Sequence, residues 1–206
     1  MSAAPLTRAE ALSIAASFAE HRWHPTAQNV RHGKDSDGIL VNTPDASTGN
    51  SDLWKAGEPS VGVPYKWGGF DTLESFNRGV RAGKAAGDLY SAEKRRLGGK
   101  AVSGSSVGLD CSGFISRCWR LTEKQSTSSL AGLCTRLRSL AELKPGDILN
   151  TPGGHVVLFV KWLDNTQTRF LCYEAEPFSR VRMSERDAQE MLAIGYTPLR
   201  YKKIVD

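Results

Sequence analysis

The feature that most constrains the fold is a change of hydrophobic period near Asp147. From there on, short segments rich in Val, Ile, Leu, Phe and Tyr alternate with Pro, Gly, Asn and Asp. Asp147–Leu149, His155–Leu163, Arg169–Glu174, Arg180–Met183 and Leu199–Ile204 read as strands, most simply an antiparallel meander of about five. Ser184 with Asp187 opens a short helix that runs to about Ala193 before the last strand.

Upstream the period is helical. Thr7 followed by Glu10 reads as a capping box, and Ala11, Ile14, Ala15 and Phe18 share one face of a helix reaching about Arg22. Pro25 to Pro64 is rich in Gly, Asn, Asp, Ser and Pro, which predicts irregular wrapping with short strands at best, anchored by Trp54 and by Ile39 to Val41. A helix over about Thr72–Ala86 carries Leu73, Phe76 and Val80, and glycine-punctuated basic sequence follows it up to Gly108. Another helix begins at Cys111, where Phe114, Ile115, Cys118 and Trp119 form an apolar stripe. Ser129–Leu137 reads as helix or turn. Helices followed by a run of strands make the fold class α+β.

The length of 206 residues fits one domain with an appendage. The net charge of +5 is mild. Its densest cluster, Lys94, Arg95, Arg96 and Lys100, lacks aromatic interleaving or a recognisable nucleic-acid motif, so a solvated surface is the better reading. Cys111, Cys118, Cys134 and Cys172 fit no C-x-x-C metal or redox spacing; Cys118 and Cys172 lie in apolar runs suited to buried thiols, and the redox compartment stays open. His21 and His24 have no acidic or thiol partner at ligand spacing, so no metal is expected. No apolar stretch of about 18 residues predicts a membrane span. Met1–Arg22 is interrupted by Glu10 and Glu20 and does not read as a signal peptide.

Chemistry concentrates at Cys111. Flanked by Gly108, Leu109, Asp110, Ser112 and Gly113, it starts a helix, where free N–H groups and the helix dipole favour a thiolate and can hold an oxyanion. Alone, such a residue is more often a small buried side chain beginning a helix. His155 alters the balance: it is the only histidine downstream, and it follows the turn Pro152–Gly153–Gly154 at the mouth of the most apolar strand, where a base can face a helix-borne nucleophile. Glu174, at the end of the next strand, can orient the imidazole and stabilise its charged form. Glu176 competes with it, and the sequence does not separate the two.

Four ordered motifs, Pro64-Tyr65-Lys66-Trp67-Gly68-Gly69, Asp110-Cys111-Ser112-Gly113-Phe114, Leu143-Lys144-Pro145-Gly146-Asp147-Ile148 and Gly154-His155-Val156, resemble those of NlpC/P60 cysteine peptidases. The resemblance covers about Val61 to Ala175. It implies a papain-like α+β fold with the nucleophile at a helix N-terminus packed on an antiparallel sheet. It also implies amidase or endopeptidase action on peptidoglycan stem peptides, commonly at linkages of D-glutamate with a diamino acid, with no cofactor.

On this resemblance Cys111, His155 and Glu174 form the catalytic set, and Tyr65, Asp110, Ser112 and Trp67 contact substrate. Residues 61–206 form the catalytic domain, interrupted by an insertion at about 70–109, and residues 1–60 an extension packed on it. The family's third catalytic position is often a second histidine or another polar residue, and here it falls on the carboxylate of Glu174. The insertion is longer than the family's connector and remodels the groove, which keeps open a thiol amidase or acyltransferase with a different substrate, and a non-catalytic binding module of the same fold. A monomer without nucleic-acid partner is expected. A peptidoglycan substrate would place the protein in the cell envelope or outside the cell, while the lack of a signal-peptide pattern keeps the cytoplasm open.

Overall fold

The computed structural model describes residues 5–49 and 53–206. The start of the Met1–Arg22 leader reading and the part of the Pro25–Pro64 stretch at 50–52 lie outside the described residues. Strand β1 (Leu6–Thr7) leads into helix α1 (Arg8–Ala19), whose cap is Thr7: its hydroxyl accepts from the Glu10 N–H at 3.1 Å. Small strands follow, β2 (Arg22–Trp23), β3 (His32–Lys34), β4 (Leu40–Asn42) and β5 (Ser60–Val61). Next come α2 (Leu73–Arg81), β6 (Ala85–Ala86), α3 (Ala92–Leu97) and β7 (Ser106–Val107). Helices α4 (Cys111–Cys118) and α5 (Thr127–Leu130) precede β8 (Cys134–Arg136), β9 (Ile148–Asn150), β10 (Val156–Trp162), β11 (Arg169–Ala175) and β12 (Val181–Asp187). The chain closes with α6 (Ala188–Ala193), β13 (Thr197–Tyr201) and β14 (Ile204–Val205).

The fold is mixed α and β around a six-stranded antiparallel sheet of order β12-β11-β10-β9-β13-β8. Because side chains alternate along a strand, one face presents Ile148, Val156, Leu158, Tyr173 and Ala175, packed with Ala11, Ala15 and Phe18 of α1 and Phe114, Ile115 and Cys118 of α4. The other face presents Leu149, Val157, Phe159, Phe170 and Cys172, covered by Ala188 and Met191 of α6 and by Leu137 and Leu143. Burial on both faces explains the unbroken apolar run of β10, and each such side chain contributes roughly 1.5–3 kcal/mol. The first and last segments are joined by parallel pairing of β1 with β14. Fully buried Asp147, in the turn before β9, accepts from Arg8 at 3.0 Å and Arg200 at 2.7 Å, so that α1 and β13 are fixed to the same carboxylate.

Several local expectations need correction. The sheet has six strands, because Cys134–Arg136, read as helix or turn, pairs with β13. It is not a simple meander either: β9 to β12 run in sequence, but β13 returns to pair with β9. The helix predicted over Thr72–Ala86 stops at Arg81, where Gly83 adopts φ +75° and the chain turns into β6. Ser184 does not open a helix; β12 continues through it, and Asp187 caps α6 by accepting from the N–H groups of Gln189 and Glu190. The strand expected over Leu199–Ile204 is split, β13 ending at Tyr201 and β14 turning away to meet β1.

The irregular stretch after Pro25 holds the β3–β4 hairpin and supports the 70–109 segment. Buried Asp88 is the junction. Its carboxylate accepts from the Asn42 N–H at 3.1 Å and from Lys94 Nζ at 2.7 Å, and Lys94 also donates to the Leu40 carbonyl. Val41 is buried, Ile39 is half-buried, and Trp54 packs edge-on against Trp23.

Candidate active site

Cys111 is the first residue of α4, and the first turn is shaped by Asp110. The Asp110 carboxylate accepts from the Gly113 N–H at 2.6 Å and from the Ser112 hydroxyl at 3.1 Å. Its second oxygen pairs with Lys124 Nζ at 2.9 Å. Immediately upstream, the Leu109 backbone bridges to Tyr65, which seats the tyrosine beside the cysteine. Gly69 closes the arrangement: its carbonyl accepts from the Asp110 N–H and lies so near Gly113 that a Cβ there would sit 2.0 Å from it. The glycines of two separate motifs are thus one packing contact.

His155 immediately precedes β10. Its Nε2 bonds Glu174 Oε2 at 2.9 Å, while its Nδ1 is buried with no hydrogen-bond partner among the described residues. The second Glu174 oxygen takes Arg186 Nη2 at 2.6 Å. Burial alone would lower the imidazole's pKa, but Cys111 on one side and Glu174 on the other outweigh it and raise it to about 10. Burial would likewise raise Glu174; its bonds to His155 prevail and hold it down at about 2. The free Nδ1 is thus the nitrogen left for the cysteine, and Nε2 is committed to the carboxylate.

Glu174 and Glu176 are now distinguished. Glu174 lies on β11 with Phe170 and Cys172, on the sheet face shared with Val157, and is fully buried. Glu176 falls beyond the strand in a turn closed by its N–H to the Arg180 carbonyl, and its carboxylate accepts from the Phe178 N–H at 3.3 Å.

Cys111 and His155 share the floor of a cleft of about 690 Å³ with Tyr65, Asp110 and Ser112. One wall is Trp67 with Tyr90, Arg95 and Val102 of the 70–109 segment; the other runs from Lys124 to Ser128. Trp67 donates from Nε1 to the Gly98 carbonyl at 3.2 Å and packs on Tyr90, which in turn meets Phe178. The seven site residues read from the sequence divide accordingly: Cys111, His155 and Glu174 converge as a set, and Tyr65, Trp67, Asp110 and Ser112 line the cleft around it. Asp110 and Ser112 are bonded to each other and to Lys124, so their polar atoms are already engaged.

Arg186, Lys124 and Tyr196 were not singled out from the sequence; Arg95 was read only as part of a solvated basic cluster, yet it lines the cleft and its neighbour Lys94 is buried. Arg186 lay beyond the strand expected to end at Met183, whereas β12 runs on to Asp187; Tyr196 carried no signal. Burial, together with Glu174 and Cys111 nearby, pushes the Tyr196 phenol up to about 12. His21 is hydrogen-bonded to Asn77 at 2.7 Å, and among the described residues no three His, Cys, Asp or Glu side chains group as metal ligands. All four cysteines are free thiols and buried. No helix among the described residues is long and apolar enough to cross a membrane. Compared with protein-family models, curated proteins and solved structures, the chain matches none.

Proposed function

We propose that the chain is a cysteine hydrolase with a papain-like arrangement of the NlpC/P60 kind, cleaving an amide bond in peptidoglycan stem peptides. The observation that carries the reading is the alignment of Cys111, the unpartnered Nδ1 of His155, and Glu174 at the floor of an open cleft. In this reaction the Cys111 thiolate attacks the amide carbonyl, forming an S–C bond and an oxyanion. The Cys111 N–H, at the start of α4, faces that oxyanion. As the C–N bond breaks, protonated His155 gives its proton to the leaving amine. Water then attacks the thioester, His155 takes the water's proton, and the carboxylic acid leaves as the S–C bond breaks. Glu174 holds the ring orientation throughout and stabilises the imidazolium whenever His155 carries the proton.

The assignment to cell-wall peptide rests on the motif resemblance. Purified protein incubated with muropeptides is expected to release cleaved stems, and Cys111→Ala to abolish release; a variant as active as the parent would remove Cys111 from the role. The wall contributed by Tyr90, Arg95 and Val102 favours a second reading, a thiol amidase or acyltransferase for another substrate. Turnover of a simple acyl amide with none of any muropeptide would select it.

A further inference from the structure

Arg95 projects from α3, within the 70–109 segment, yet it reaches across the cleft to the turn that precedes His155. A Cβ built on Gly153 would lie 3.9 Å from Arg95 Nη2. The residue is exposed, and among the described residues its guanidinium has no hydrogen-bond or ion-pair partner. The turn beneath it is held by its own bonds: the Gly153 N–H donates to the Thr127 hydroxyl at 2.9 Å and the Gly154 N–H to the Thr151 carbonyl. Among the described residues the only carboxylate lining the cleft is Asp110, and Lys124 neutralises it at 2.9 Å. A planar five-donor fork therefore lies over the cleft with nothing anionic among the described residues to satisfy it.

We infer that Arg95 is a specificity residue that receives a carboxylate of the substrate beside the amide presented to Cys111. This rests on the reading of the site as a peptide hydrolase and narrows it to acidic peptides. Guanidinium and carboxylate match as a two-bond fork, which lysine cannot reproduce. The wall that carries Arg95 is braced rather than loose, because its neighbour Lys94 is buried against Asp88 and the Leu40 carbonyl. The backbone that carries the fork is thereby in place before substrate arrives.

The test separates binding from cleavage. In the Cys111→Ala background, calorimetry measures binding of a stem tripeptide of L-alanine, D-glutamate and a diamino acid with free carboxylates, and of the same peptide fully amidated. The free acid is expected to bind about tenfold more tightly, Arg95→Gln to erase the difference, and Arg95→Lys to restore only part of it. Equal affinity for the two peptides, binding of neither, or a preference unchanged in Arg95→Gln would overturn the role of Arg95. Cleavage by the Cys111 protein is scored separately. Charge-selective binding without any turnover would overturn the hydrolase reading and leave Arg95 as an anion-binding residue. Turnover indifferent to residue 95 would do the reverse.

Discussion

Glu174 bonds His155 through one carboxylate oxygen, 2.9 Å from Nε2, and Arg186 through the other at 2.6 Å. The orienting carboxylate is itself oriented, so the imidazole is fixed by two elements of the sheet. Glu174→Gln keeps the shape but loses the charge that favours imidazolium. It is expected to lower kcat/KM by about 10²–10⁴-fold. Glu176→Gln should leave the rate unchanged. Steady-state kinetics of both variants, with urea unfolding as a check on folding, decides the matter; loss of activity in the Glu176 variant alone would exchange the two roles.

The same pair makes stability depend on pH with opposite signs at the two ends. His155 is raised to about 10 from its ordinary 6.5, so its contribution is complete below about pH 6.5 and disappears as pH rises through about 10. Glu174 is lowered to about 2 from 4.5, so its contribution is present above pH 4.5 and is lost as pH falls through about 2. Urea unfolding across pH, taken as the difference from His155→Gln, is expected to decline on the alkaline side. The difference from Glu174→Gln is expected to decline on the acid side. A flat alkaline difference would mean that the fold does not favour the charged imidazole.

Thiol accessibility gives a third expectation. Cys118, Cys134 and Cys172 are buried away from the cleft, and burial pushes all three thiols up, Cys134 to about 12. Cys111 alone lines the cleft. Iodoacetamide at neutral pH should therefore give one adduct on the folded protein, mapped by mass spectrometry to Cys111, and four after unfolding. A first adduct at any other cysteine would contradict the burial pattern.

The local elements were more legible than the topology. Local patterns carried α1 with its Thr7 cap, α4 with Cys111 at its start, and the apolar core of β10, because each is specified by neighbours in sequence. Pairing of β13 with β9, and of β8 with β13, is long-range, and a three-residue strand such as Cys134–Arg136 carries too little alternation to announce itself. Helix α3 had local signals that its basic glycine-rich setting obscured: Ser91 caps it by accepting from the Lys94 N–H, and Gly98 ends it at φ +59°. Glu174 and Glu176 could not be ranked while the end of β11 was unknown.

The wall of the cleft depends on one buried ion pair. Lys94 and Asp88 have side chains 5% and 0% exposed. Removing one partner strands the other in the interior, so Lys94→Met is expected to cost about 3–5 kcal/mol. Adding Asp88→Asn should recover part of this, since an amide oxygen can still accept from the Asn42 N–H. Urea unfolding of the single and double variants measures both effects; a Lys94→Met protein as stable as its parent would show that the pair does not hold the segment in place.

Gly113 tests the packing that places the nucleophile. In an ordinary helix, replacing glycine by alanine gains roughly 1 kcal/mol from backbone entropy. Here the added Cβ would sit 2.0 Å from the Gly69 carbonyl oxygen, a backbone atom that cannot swing aside. The first turn of α4 or the Gly68–Gly69 loop must therefore shift, and the expected net cost is about 1–3 kcal/mol. The shift also moves Cys111 relative to His155, so activity should fall by more than stability alone accounts for. Gly132→Ala, where nothing lies within 4 Å of the new methyl, is the matched control and should be neutral or slightly stabilising. Urea unfolding and kcat/KM for the two variants give the comparison; a neutral Gly113→Ala protein with full activity would show that the Gly69 contact does not position the nucleophile.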